Sequence, residues 1–245
     1  MRRLYPTPGG LTGAAELEDE YLLPAARHVR ANFVTSLDGM VELGGRSSPL
    51  GGPADREAFM AMRAVADVIL VGAGTVRQEK YGPVRLDATV QERRRARDQA
   101  ALPKVAVVSN RADLDPQAKL WGGGEAKPLL ITTAAAAEAR TDLAAVAELV
   151  VCGDQFVDLR LALDELSTRG LQRVLCEGGP TLFRTLVTAG LIDELCLTTS
   201  TRLVGPEHRG LLGDQPLTEP ASLSLTGVLE GDGMLLSRYA FGAQS

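Results

Sequence analysis

The sequence is poor in the residues that build metal centres and covalent frames. Of its 245 residues only two are histidine, His28 and His208, and three are cysteine, Cys152, Cys176 and Cys196. The cysteines are odd in number and far apart, and each lies inside an apolar run (LVVCG, RVLCEG, ELCLTT). They read as reduced, buried thiols, which argues against a disulfide frame, a zinc knuckle or a CxxC redox pair. Two scattered histidines leave nothing like a zincin or deaminase cluster, so no metal is expected. Aromatic residues make up only 4%. No apolar run is long enough to span a bilayer, and the opening MRRLYPTPGG carries two positive charges with no apolar stretch behind them. The expectation is a cytoplasmic protein with no membrane contact. Excess charge is also missing: 26 Lys+Arg against 31 Asp+Glu leave −5, no field for holding phosphate backbones, so no nucleic-acid partner is expected.

What is present is a 45% hydrophobic chain long enough for one large core or two small ones. Short β-rich apolar runs recur at 29–35, 67–71, 105–109, 129–132, 149–152, 173–176 and 195–200. Helical patterns separate several of them, at 134–140, 159–169 and 181–189. Another helix starts at Gly52-Pro53, with Asp55 and Glu57 in its first turn and Phe59, Met62 and Ala66 at helical spacing. Runs apolar on both faces and alternating with helices predict an α/β fold, a mostly parallel central sheet with helices on both faces. The tail predicts an antiparallel hairpin, 222–229 and 234–241 around Glu230-Gly231-Asp232-Gly233. Residues 1–28 read as an N-terminal arm, loose or briefly helical, before one domain over 29–245; Gly122-Gly123-Gly124 reads as a loop and not a boundary. The basic stretch 92–98, ERRRARD, is flanked by acids and lacks aromatics, so it reads as a solvated helix or mobile loop.

Four strand ends carry chemistry. Val71-Gly72-Ala73-Gly74-Thr75 runs from a strand through a glycine turn into a helix start, a geometry that brings N–H groups to a phosphate. Arg77 stands where a dinucleotide fingerprint needs a small residue, so the turn reads equally as a ligand turn or a tight connection. Glu177-Gly178-Gly179-Pro180-Thr181 repeats the arrangement: glycines for close approach, proline for a first helical turn, and a hydroxyl donor. Two such turns in one sheet suggest a dinucleotide. Ser109-Asn110-Arg111 ends a strand where an NAD-specific enzyme places an acid on the ribose; a hydroxyl and a guanidinium there suit a 2′-phosphate, hence NADPH. Ser36-Leu37-Asp38-Gly39 ends the first strand with a carboxylate that either serves a substrate or simply makes a turn.

The segments NFVTSLDG, ADVILVGAGTVRQE, KVAVVSN, CEGGPTL and LIDELCLT, in this order and spacing, resemble the pyrimidine reductase family of riboflavin biosynthesis, whose fold is dihydrofolate-reductase-like. The resemblance covers roughly residues 29–241. It implies an NADPH-dependent, homodimeric enzyme that reduces the ribosylamino side chain of a pyrimidine phosphate to the ribityl form. It also implies a cofactor cleft lined by Gly72, Thr75, Glu79, Ser109, Val151, Glu177, Gly178, Gly179, Pro180 and Thr181, with Ser36 and Asp38 at the nicotinamide and substrate end. Nothing before residue 29 resembles the zinc deaminase domain of bifunctional members, so a stand-alone reductase is expected. Those members carry lysine where this chain has Asn32, and Asp-Asp-Pro where it reads Glu79-Lys80-Tyr81. Arg85, just beyond, is the expected partner of a substrate phosphate. With no histidine in any motif, the proton falls to Asp38, Glu79 or water. A reductase of dihydrofolate or another pterin, and a non-catalytic NADP-binding sensor, remain as alternatives.

Overall fold

Each apolar run becomes a strand flanked by the helices its neighbours predict. The computed structural model describes residues 1–11, 13–122, 127–213 and 215–242, so Gly123 and Gly124 of the expected glycine loop lie outside the described residues. In chain order the elements begin with β1 (Arg2–Tyr5), β2 (Gly9–Gly10), α1 (Ala14–Glu20), β3 (His28–Thr35), α2 (Pro53–Val65), β4 (Val68–Gly72) and α3 (Ala73–Gln78). They continue with α4 (Ala88–Ala96), β5 (Lys104–Ser109), β6 (Leu129–Thr132), α5 (Ala134–Ala139), β7 (Glu148–Val151), α6 (Leu159–Thr168), β8 (Arg173–Cys176) and α7 (Pro180–Thr188). Strands β9 (Glu194–Thr199), β10 (Leu223–Gly231) and β11 (Met234–Phe241) finish the chain.

The strands form one sheet in the order β2-β1-β10-β11-β9-β3-β8-β4-β5-β6-β7. From β9 to β7 every pairing is parallel, and from β2 to the β11–β9 pair every pairing is antiparallel. Alternation along β4 shows why its run is continuously apolar: Val68 and Leu70 face one core with α6 and α7, while Ile69 and Val71 face another with α3 and α5. A third core lies under α1 and α2. The hairpin turns at Asp232 and Gly233, whose φ values of +55° and +77° are the left-handed pair a two-residue turn needs.

Two expectations are refined. Of the two readings of residues 1–28 the brief helix is present as α1 and the segment is not loose: β1 pairs with β10, and Leu17 and Tyr21 are buried in the third core. The 92–98 stretch is the expected helix as far as Ala96, with Glu92, Arg95, Ala96 and Asp98 exposed, but three of its arginines are not simply solvated. Arg94 is fully buried and donates to the carbonyls of Arg63, Ala64 and Ala66 at the end of α2, while Arg93 and Arg97 pair with the buried Glu18 of α1. The cysteines are free and buried as expected, and burial raises the Cys176 and Cys196 thiols to about 12. No described helix is long and apolar enough to cross a membrane.

Candidate active site

Parallel pairing puts the carboxyl ends of β3, β8, β4 and β5 side by side, so both glycine turns and the Ser109 terminus emerge on one edge. The turns are joined directly: the Gly72 N–H donates to the Gly178 carbonyl at 2.8 Å, and the Glu177 N–H donates to the Leu70 carbonyl at 3.0 Å. A cleft of about 820 Å³ opens over this edge, lined by Gly72, Thr75, Ser109, Asn110, Arg111, Gly179, Pro180 and Thr181. Its charged lining is Arg77, Arg111, Arg184 and Arg209 against the single Asp113, a local positive field in a chain of net charge −5.

Glycine is required at two adjacent positions for different reasons. A Cβ on Gly179 would lie 2.8 Å from the Thr75 hydroxyl oxygen, so the two turns touch only because that side chain is absent. Gly178 has φ of +89°, and its would-be Cβ faces the Phe33 ring at 3.2 Å. It therefore serves the packing behind the cleft and is not among the residues lining it.

A second cleft, of about 640 Å³, shares Thr75, Gln78, Gly179, Pro180 and Arg209 with the first. Glu79 and Glu177 line this one and not the arginine-rich one. Glu177 is held by Nε and Nη2 of Arg63, each at 2.7 Å, with the Tyr81 hydroxyl donating to the same carboxylate. Arg63 is further fixed by lying over the rings of Phe59 and Tyr81. Burial works against its charge, but Glu177 outweighs burial and the guanidinium is held above its usual range. Burial and the Glu177 charge together push the Tyr81 phenol well up, so it remains a donor. Glu79 accepts from the backbone N–H and the hydroxyl of Ser47, at 2.8 and 2.9 Å, and so anchors the loop after β3.

Several expected residues lie elsewhere. Ser36 is buried, and its hydroxyl oxygen accepts from the Met40 N–H within its own turn. Asp38 is exposed and lines neither cleft; its carboxylate accepts from the N–H groups of Val204 and Gly205 at 3.2 and 2.7 Å. The Ser36 hydroxyl and then the Gly205 N–H hold that acid down to about 2, which removes it as a proton donor at neutral pH. Val151, 48% exposed on β7, and the exposed Arg85 line neither cleft. In Arg85's place the second cleft presents Arg46, Arg56 and Arg209, with Asn32, Ser48 and Asp55. Arg46 and Arg209 belong to irregular segments with no spacing to mark them. Arg56 follows the helix start at Gly52-Pro53 and was visible only as a helical residue.

Comparison with known proteins agrees with this fold. The chain is 29% identical over 189 residues to the 2,5-diamino-6-ribosylamino-4(3H)-pyrimidinone 5′-phosphate reductase of Methanothermobacter thermautotrophicus, covering 76% of this chain and 83% of that one. Its counterpart in Archaeoglobus fulgidus is 29% identical over 170 residues, covering 69% and 77%. A crystal structure of a pyrimidine reductase-like protein from Corynebacterium diphtheriae superposes with a TM-score of 0.79 at 27% identity, over 93% of this chain and 99% of the other. The model of the RibD C-terminal domain matches residues 27–235, so with both clefts inside that span the chain belongs to the RibD C-terminal domain family.

Proposed function

We propose that this chain is an NADPH-dependent reductase that converts the ribosylamino side chain of a pyrimidine 5′-phosphate to the ribityl form in riboflavin biosynthesis. The carrying observation is that an arginine-lined cleft over two glycine turns meets a second cleft of mixed charge at Thr75, Gly179, Pro180 and Arg209. That junction is where a cofactor laid along the first cleft would meet a small substrate held in the second.

The residues fit a dinucleotide. Gly72 and Gly179 allow close approach of backbone, the N-terminus of α7 lies in the cleft wall, and Thr75 and Thr181 add hydroxyls. Ser109 and Arg111 supply a donor and a cation for a 2′-phosphate, and Asn110 is oriented by accepting from the Val157 N–H at 2.9 Å. Bound NADPH supplies the hydride. Arg46, Arg56 and Arg209 offer guanidinium forks for the substrate phosphate, the role expected of Arg85. Asn32 and Glu177 offer an amide and an acceptor for the pyrimidine's polar edge, and the Arg63 clamp keeps the Glu177 carboxylate in place. The family resemblance supports a homodimer.

The test is NADPH oxidation followed by absorbance with 2,5-diamino-6-ribosylamino-4(3H)-pyrimidinone 5′-phosphate and, in parallel, with dihydrofolate. Oxidation with the pyrimidine alone is expected; oxidation with dihydrofolate alone, or NADPH binding with no turnover of either, overturns the reading. NADPH is expected to bind at least about tenfold more tightly than NADH, about 1.4 kcal/mol, and equal dissociation constants by titration calorimetry would refute the 2′-phosphate assignment.

A further inference from the structure

We propose that Asp55 is the general acid of this reaction, delivering the proton that opens the sugar ring as hydride arrives at the anomeric carbon. The inference rests on the reductase reading and supplies the proton donor that Asp38 cannot be. Asp55 lies in the first turn of α2, in the wall of the substrate cleft beside Ser48, Arg56 and Phe59, and in the same cleft as the Thr75, Gly179 and Pro180 junction. Its carboxyl is packed against the main chain before the helix: a Cβ on Gly51 would be only 2.7 Å from Oδ2. The buried Thr198 of β9 is the neighbouring hydroxyl that favours its carboxylate form. Among the described residues it makes no ion pair, and neither does Glu42 of the same cleft, whereas Glu177 is engaged by Arg63 and Glu79 by Ser47.

The charged groups around it in the cleft are Arg56 on its own helix, Glu42 and Arg46 after β3, Glu79 after α3, Glu177 after β8, and Arg209. Burial dominates, and the carboxyl is held above its usual range with the Thr198 hydroxyl only partly opposing. Such a raised acid retains a proton further toward neutrality than an exposed aspartate.

The step balances. The Asp55 carboxyl proton passes to the ring oxygen O4′ as the C1′–O4′ bond breaks, its electron pair remaining on oxygen. The exocyclic nitrogen's lone pair forms the C1′=N bond; C1′ then accepts hydride from NADPH and that pair returns to nitrogen. The products are the ribitylamine, NADP⁺ and the Asp55 carboxylate, which takes its next proton from water.

The test compares wild type, Asp55→Asn, Asp55→Glu and Glu79→Gln in kcat, KM and pH profile. Wild-type turnover of the ribosylaminopyrimidine phosphate comes first, and its failure overturns the reductase reading and the acid assignment together. Given turnover, Asp55→Asn is expected to lower kcat about a hundredfold, to leave NADP⁺ affinity unchanged by titration, and to lose the alkaline fall in kcat; Asp55→Glu restores part of the rate. Thr198→Val removes a donor that favours the carboxylate, so it is expected to move that alkaline fall to higher pH. Stability of the ligand-free protein separates catalysis from structure. Because the folded carboxyl is raised above its unfolded value, ionisation destabilises the fold as pH rises, so Asp55→Asn is expected to melt no lower than wild type at pH 7. A normal kcat in Asp55→Asn, a proton-donor profile lost in Glu79→Gln instead, or a kcat loss that tracks a lower melting temperature overturns the assignment.

Discussion

Asp38 shows how far a motif can be read from its letters. A carboxylate just past a buried strand suits either catalysis or a turn, and the deciding fact is where residues 202–205 fold. The Leu37 N–H donates to the Arg202 carbonyl at 2.7 Å, and Asp38 binds the next N–H groups, so the turn pins the segment that carries Arg209 to the junction of the clefts. Asp38→Asn is therefore expected to weaken NADPH binding modestly, by about threefold to tenfold, with kcat at saturation changed far less than in Asp55→Asn. A hundredfold loss of kcat with unchanged affinity would return Asp38 to proton transfer. The pH dependence has a definite sign. The folded carboxyl is depressed to about 2 from an ordinary 3.8, so its contribution is present above the ordinary value and lost as pH falls toward 2. The melting-temperature gap between wild type and Asp38→Asn is expected to close as pH falls from about 5 to 2; a constant gap would show that the clamp does not depend on charge.

At the scale of elements, α2 is the member on which the second cleft depends, since it carries Asp55, Arg56, Phe59 and Arg63. Its last carbonyls would be buried without partners if α4 did not supply them. Arg94 donates to the carbonyls of Arg63, Ala64 and Ala66 at 3.2, 3.1 and 2.7 Å, and the Gln99 amide donates to the Val65 carbonyl at 3.0 Å. Burial lowers the Arg94 guanidinium to about 10, still charged at neutral pH and well placed at a helix C-terminus. Arg94→Met fills similar volume but strands those carbonyls, and a loss of about 3 kcal/mol is expected from denaturant unfolding. A change below about 0.5 kcal/mol would mean that water takes over the bonds. A run of arginines in sequence is usually a solvated face; here Arg95 stays exposed, and Arg94 alone is internal because α4 packs against α2, a contact between residues some thirty positions apart.

For the whole molecule, the question is whether residues 29–245 suffice. Glu20 accepts from Arg3 and from Arg238, its own carbonyl accepts a further bond from Arg238, and the Tyr21 carbonyl accepts from the buried Arg30. Arg30 also donates to Glu194 at 2.6 Å. Burial raises that acid, but the His28 ring beside it and the hydrogen bond and charge of Arg30 outweigh burial and bring it to about 2. The first residues thus close a polar network between β3, β9 and β11 and cover β10 with β1. Deleting residues 1–21 is expected to lower the melting temperature by roughly 10 °C or more, or to abolish cooperative unfolding. A truncated protein that melts like the full chain would mark the segment as an independent arm.

The parallel strands, most helices and the terminal hairpin were legible because each is a local pattern: apolar runs of strand length, helical spacing after Gly52-Pro53, and a Gly-Asp-Gly turn. The meeting of the two glycine turns and the Ser109 terminus on one sheet edge was legible for the same reason, since glycine at a strand end reports on backbone approach whatever surrounds it. The substrate side was not. Which carboxylate is free, which is clamped and which arginines face the cleft depend on hydrogen bonds between Asp38 and Gly205, Glu79 and Ser47, Glu177 and Arg63, partners 32 to 167 residues apart. Composition and periodicity carry apolar burial, which is additive along the chain. The protonation and availability of a polar group are set by the few atoms within hydrogen-bond reach, and only the tertiary structure brings those atoms together.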